Sequence, residues 1–267
     1  MKNKEEERQI ETKKEVKIET PQEVYEKQIP TNEFYFDLIK GGYSEERIKN
    51  VHIPIIENYL KDVKESSKPT VYLMMGAFGA GKGIIKKYLQ NNDLLPKDIV
   101  DVDVDEVRRE RGLEKDFDGY AKVNIKQAGV MTQKESSYLS QQIVQNLYRK
   151  KSDLIIDKSF SNYKILINTI NKFKKAGYQV NVIMAYQTLE NGLRNIKDRA
   201  IREGRDIDEK VSIEVYKDIE ETTRKFIKDI PKDVSFNQYQ LINPDESPIH
   251  HFLKDRDKVE GTAKIEV

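Results

Sequence analysis

From about residue 70 onward, two kinds of apolar spacing alternate along the chain. Short apolar runs predict strands at Thr70–Met75, Ile99–Val104, Leu154–Asp157, Gln179–Tyr186 and Ser235–Ile242. Between them, apolar residues recur at helical spacing and predict helices over 83–91, 133–150, 161–176, 189–203 and 210–229. Thr132-Gln133-Lys134-Glu135 has the form of a capping box and predicts the start of the second of these helices. Gly177 stands where a C′ glycine closes the third. Strand and helix in alternation predict an α/β fold, with a parallel sheet of about five strands covered by helices on both faces. Ligands on such sheets bind at the carboxyl ends of the strands.

Ahead of this unit, residues 33–65 predict helix. Phe34, Phe36, Leu38 and Ile39 lie close together, and Ile48, Val51, Ile55, Ile56, Tyr59 and Leu60 follow at helical spacing. Ser44 is placed to cap Glu45-Glu46-Arg47-Ile48, and Pro54 predicts a kink or break. Residues 1–30 are dense in charge of mixed sign and poor in large apolar side chains, the composition of an arm without a core. The chain therefore divides into an arm (1–30), a helical extension (31–69), an α/β domain (70–245) and a polar tail (246–267).

Composition narrows the chemistry. The 267 residues carry 47 Lys plus Arg against 46 Asp plus Glu. This balance argues against a nucleic-acid coat or a polybasic membrane anchor, though a local basic groove stays compatible with it. The sequence has no Cys, which rules out disulfides, thiol nucleophiles and cysteine zinc sites. No apolar run is long enough to span a bilayer, and Met1–Arg8 lacks the apolar core of a secretion signal, so a cytoplasmic, reducing setting is expected.

The strongest chemical signal is Gly76-Ala77-Phe78-Gly79-Ala80-Gly81-Lys82-Gly83-Ile84, between the first strand and the first helix of the α/β unit. Strand, glycine-rich turn, lysine and helix form the context of a phosphate-binding P-loop. Backbone N–H groups from Gly76, Phe78, Gly79, Ala80, Gly81, Gly83 and Ile84 can converge on phosphate oxygens, aided by the helix N-terminus. Lys82 reaches the β- and γ-phosphates. Gly83 occupies the place where Ser or Thr usually supplies a hydroxyl to Mg²⁺.

Three further groups fall at strand ends or on one helix. Asp105 follows the second strand, placed either to take a proton from an attacking hydroxyl or to cap the helix that begins at Glu106. Asp157 ends an apolar strand, as the acid of a Walker B pattern does. It can hold Mg²⁺, bind a substrate hydroxyl, or stand in a turn. Arg199 and Arg202 share a helix face, and Arg205 follows Gly204; the run suits either a phosphate-clamping lid or a solvated basic helix. His52 reads as structural, His250-His251 as too small a cluster for a metal, and the 14 tyrosines as scattered.

In order and spacing, the Gly76–Lys82 loop, the Asp105/Arg108 segment, Leu154–Asp157, Ala176–Val180 and the Arg199…Arg205 run resemble zeta-toxin-like P-loop kinases over residues 45–245. The resemblance implies transfer of the γ-phosphate of ATP or GTP, with Mg²⁺, to a sugar hydroxyl of UDP-N-acetylglucosamine or a related UDP-amino sugar. It implies Lys82 as the phosphate-binding lysine, Asp105 as general base, and Arg199 and Arg205 as phosphate clamps, with Arg202 competing for either role. Arg108 and Asp157 would bind substrate, and Asp157 stands where the family often has Glu. An antitoxin-like inhibitor is an implied partner, a role the residue 1–30 arm could also fill. The Lys82-Gly83 pair resembles adenylate-kinase-type loops, in which Thr follows, whereas Ile84 follows here. Two other classes remain: a non-catalytic nucleotide-binding switch, and a polynucleotide or nucleoside kinase.

Overall fold

A computed structural model describes residues 41–203, 207–241 and 247–254. The arm at 1–30, the residues around Phe34–Ile39 and Arg205 lie outside the described residues.

Six strands form one sheet in the order β2-β3-β1-β4-β5-β6. They are β1 (Thr70–Met75), β2 (Val100–Asp103), β3 (Leu154–Asp157), β4 (Gln179–Tyr186), β5 (Val234–Gln240) and β6 (Ile249–Lys254). Strands β1 to β5 are mutually parallel. The helices of the α/β unit are α3 (Lys82–Asn91), α4 (Val104–Val107), α5 (Leu113–Arg149), α6 (Tyr163–Lys175), α7 (Leu189–Glu203) and α8 (Glu209–Lys228), after α1 (Glu45–Arg47) and α2 (Ile53–Leu60) in the extension. Every residue of β3 is buried, as a central parallel strand covered on both faces requires. From β1 the chain crosses to β2 on one side, while β4 lies on the other. The loop after β1 therefore opens at the switch point of the sheet, where the strand ends form a crevice.

Two expectations need correction. Residues 249–254 are not tail: they form β6, antiparallel to β5, and the His250 ring stacks on Tyr239 with centroids 4.4 Å apart. An edge strand pairs on one side only, so its sequence need not carry the apolar run that marks a central strand. The second correction concerns α5, which begins at Leu113 rather than at the Thr132 capping box. Inside the helix, the Thr132 hydroxyl donates to the carbonyl of Ala128 (2.7 Å) instead of capping. The Glu135 carboxylate, expected to reach back to an N-cap, accepts from Arg47 Nε at 2.8 Å and lies 2.6 Å from His52 Nε2.

That contact docks the helical extension on α5. Ser44 caps α1 as expected, accepting from the Arg47 N–H at 3.1 Å. The chain then widens into a π-helical turn, Ile48–His52, before α2. Pro54 sits in the first turn of α2, where its missing N–H costs little. His52 is buried, with its ring edge-on to Tyr43. Gly177 closes α6 at φ 83°, with Tyr178 N–H bonded to the Phe173 carbonyl, a Schellman-type stop.

Candidate active site

The loop Gly76–Gly81 leaves β1 and enters α3 through Gly81, whose left-handed φ of 83° turns the chain onto the helix axis. Its outer side is held by two later helices. Tyr216 Oη in α8 donates to the Phe78 carbonyl at 3.0 Å, and Asn195 Nδ2 in α7 donates to the Gly79 carbonyl at 2.8 Å. In a trans peptide the carbonyl and the next N–H point opposite ways, so fixing these oxygens outward turns the Gly79 N–H inward. The Ala80 N–H closes a turn onto the Ala77 carbonyl. The N–H groups of Lys82 and Gly83 open the first turn of α3 and have no intrahelical acceptor. A Cβ at Gly79 would lie 2.4 Å from the Gly192 carbonyl, so only glycine lets α7 come this close to the loop. A Cβ at Gly83 would meet nothing within 4 Å, whereas Ile84 is exposed.

Lys82 Nζ lies 3.1 Å from the Gly76 carbonyl and 3.9 Å from Asp157 Oδ1. One helical turn on, Lys86 Nζ is 3.1 Å from Asp157 Oδ2 and pairs also with Asp101. Asp157 faces Asp103 in register across β3 and β2, so Asp101, Asp103 and Asp157 cluster at the carboxyl edge. Burial alone would lower the Lys86 ammonium, but Asp157 and Asp101 outweigh it and hold the group above its ordinary value. The pair is lopsided: burial lifts the Asp101 carboxyl despite Lys86. Burial, with Asp157 and Asp105 close by, pushes the Asp103 carboxyl up to about 6.

Asp103, not Asp105, is the cap of α4: its carboxylate accepts from the Asp105 N–H at 2.8 Å. Asp105 stands in the first helical turn, its carboxylate 2.6 Å from Arg108 Nη1. Arg108, expected to meet substrate, is 3% exposed and also donates to Gln133 of α5. Arg199 is half-buried in α7. Arg199 follows Asn195 by four positions, on the helix face whose register Asn195 fixes against the loop.

Mg²⁺, which the resemblance implies, is testable against these residues. Both oxygens of Asp157 face an ammonium group, and position 83 offers no hydroxyl. Among the described residues no group of three or more His, Cys, Asp or Glu could hold a metal ion. The set does not fit a Mg²⁺ held by the protein itself.

Sequence patterning singled out Lys82, Asp105, Arg108 and Asp157 and missed Lys86, Asn195 and Tyr216. Lys86 carried a signal: it follows Lys82 by four residues on the same face of α3. Asn195 and Tyr216 act on loop carbonyls 116 and 138 residues away, a contact that no local pattern encodes.

The sheet order, the loop at the switch point and the lysine heading α3 define a P-loop kinase-type α/β protein. The family model described as Zeta toxin matches residues 56–248, well over half of the chain, and the protein belongs to that family. Among solved structures, it is similar to a chain from the PezAT chromosomal toxin–antitoxin system of Streptococcus pneumoniae. The match has 18% identity over 78% of this chain and 80% of that one, with TM-score 0.58. It is similar also to the AvrRxo1-ORF1:AvrRxo1-ORF2 structure with sulphate ions, at 15% identity over 89% and 76% of the two chains, TM-score 0.62. The same system with ATP matches at 16% identity over 85% and 73%, TM-score 0.59. At these identities the likeness shows the fold. A sequence comparison with curated proteins returns no match. Among the described residues no helix is long and apolar enough to cross a membrane.

Proposed function

We propose that this protein is a phosphotransferase that moves the γ-phosphate of ATP or GTP to a hydroxyl of a UDP-amino sugar such as UDP-N-acetylglucosamine. The observation that carries the reading is the P-loop at the switch point, with Asp105 at the carboxyl end of β2 on the same edge of the sheet. The ATP complex of the AvrRxo1 relative supports a triphosphate there. The resemblance to zeta-toxin-like kinases supports a UDP-amino sugar as the acceptor.

In this reading Lys82 leaves the Gly76 carbonyl for the β- and γ-phosphates, and the N–H groups of Gly79, Lys82 and Gly83 bind their oxygens. Asp105 takes the proton of the acceptor hydroxyl. The acceptor oxygen forms the new bond to phosphorus as the bond to the bridging β–γ oxygen breaks, and the nucleoside diphosphate leaves with that electron pair. Arg199 and Arg205 spread the charge on the transferring group, with Arg202 on the same face as Arg199. Arg108 is buried against Asp105 and acts by positioning it rather than by touching substrate. Mg²⁺ would ride on the nucleotide's phosphates.

An antitoxin-like protein covering the nucleotide site is the partner this reading implies; the PezAT relative comes from a toxin–antitoxin system, and the AvrRxo1-ORF1 relative is seen together with AvrRxo1-ORF2. The missing hydroxyl at Gly83 favours one other reading, a nucleotide-binding switch without turnover. Incubating the protein with ATP and a panel of UDP-sugars, nucleosides and 5′-hydroxyl oligonucleotides, and reading products by mass spectrometry, separates them. A phosphorylated UDP-amino sugar is expected. Phosphate on an oligonucleotide end instead would move the acceptor to polynucleotides, and nucleotide binding without any product would favour the switch.

A further inference from the structure

The ammonium of Lys86 lies between Asp101 and Asp157, 3.1 Å from Asp157 Oδ2, at the carboxyl edge beside the loop. This is where a P-loop protein that holds its own metal would place the ion, between the Walker B acid and the hydroxyl after the loop lysine. Here the acid is paired on both oxygens, Lys82 being 3.9 Å from Oδ1. The hydroxyl is replaced by Gly83, although the space at that position is open. Lys86 is only 12% exposed, so its charge is placed by the fold rather than by solvent.

We propose that Lys86 is a built-in cation: it neutralises the Asp101/Asp103/Asp157 cluster that would otherwise repel the triphosphate, so nucleotide binds with little dependence on Mg²⁺. This rests on the nucleotide-binding reading above. Unscreened, three carboxylates facing an incoming polyphosphate oppose binding, and in a half-buried site the repulsion is strong. A lysine four residues after the P-loop lysine places a charge there permanently. Once Lys82 turns to the phosphates, Lys86 alone remains on Asp157. The departure at Gly83 then has a reason, since no protein-held metal is left for a hydroxyl to serve.

Calorimetric titration of ATP into the full chain, in EDTA and in excess Mg²⁺, tests this without reference to turnover. The two dissociation constants are expected to agree within about fivefold. A larger loss in EDTA overturns the inference and leaves nucleotide binding standing, whereas no ATP binding in either buffer defeats the nucleotide reading and this inference with it. A second readout is Mn²⁺ binding without nucleotide, followed by electron paramagnetic resonance. Wild type is expected to bind none at this cluster and Lys86→Gln to gain a site. Mn²⁺ bound tightly by wild type and lost in Asp157→Asn would overturn the proposal. Should Lys86→Gln fail to fold, the wild-type measurements decide alone.

Discussion

Tyr216 Oη donates a hydrogen bond to the Phe78 carbonyl at 3.0 Å, tying α8 to the phosphate loop across 138 residues of sequence. The ring is admitted by Gly192 of α7, where a Cβ would fall 1.7 Å from the same hydroxyl. Burial raises the Tyr216 phenol, which keeps it protonated and donating throughout the working range of pH.

Tyr216→Phe removes one bond and leaves the packing. The expected cost in stability is about 1 kcal/mol, with ATP affinity lowered roughly three- to tenfold as the loop loses an outer anchor. Gly192→Ala should cost more on both counts, because it drives the ring off the loop. Thermal melts beside ATP titrations check the order of the two variants.

Arg108 and Asp105 form a pair 2.6 Å apart, with the arginine buried. Arg108→Gln should lower the turnover number by about tenfold or more while leaving the ATP dissociation constant nearly unchanged, because in the proposed reaction the lost group orients Asp105 and does not touch the nucleotide. A variant weakened chiefly in acceptor affinity would return Arg108 to the substrate-binding role that the zeta-toxin resemblance implies.

The Asp103 carboxyl, raised to about 6, makes a contribution whose sign is the reverse of the usual acidic ion pair. Between the unfolded value near 4 and the folded value near 6 the native state binds the extra proton, so stability falls as pH rises through that window. Asp103→Asn keeps an N-cap acceptor and removes the buried charge. It should raise the melting temperature at pH 7 to 8, by an amount equivalent to about 1–3 kcal/mol, and bring little gain at pH 4.

Glu135 behaves in the opposite direction. Burial would raise its carboxyl, but hydrogen bonds from His52 and Arg47 outweigh burial and hold it below its ordinary value. Its contribution is therefore complete above the unfolded value near 4.3 and is lost as pH falls through the depressed folded value. Glu135→Gln should destabilise the protein at pH 7 by about 1–3 kcal/mol, with the gap from wild type closing in acid. Proteolysis near Ile53–Leu60 should quicken in the variant at neutral pH, since Glu135 anchors the extension to α5.

Much of the fold was legible because parallel strands buried on both faces must be continuous apolar runs. β1, β3 and β4 have the predicted bounds for that reason. The first half of α5 escaped notice because Gly119, Gly129 and many polar side chains interrupt its pattern, and because Thr132 and Glu135 imitate a helix start while bonding elsewhere. β6 escaped because an edge strand carries no apolar run. At the site, the loop was legible because backbone geometry demands glycine at fixed positions. The arrangement around Asp157 was not, since the pairing of Lys86 with two carboxylates on separate strands arises only when the sheet is assembled.

Phosphate transfer from γ-labelled ATP to UDP-N-acetylglucosamine, measured in wild type, Lys82→Ala and Asp105→Asn with ATP affinity read in parallel, tests the proposed reaction. Label is expected on the sugar in wild type. Asp105→Asn should lose about 10²-fold or more in rate with ATP affinity intact, as removal of a general base does, and Lys82→Ala should lose both. Transfer undiminished in Asp105→Asn would remove Asp105 as the base, and its absence in wild type despite tight ATP binding would rule out the proposed transfer.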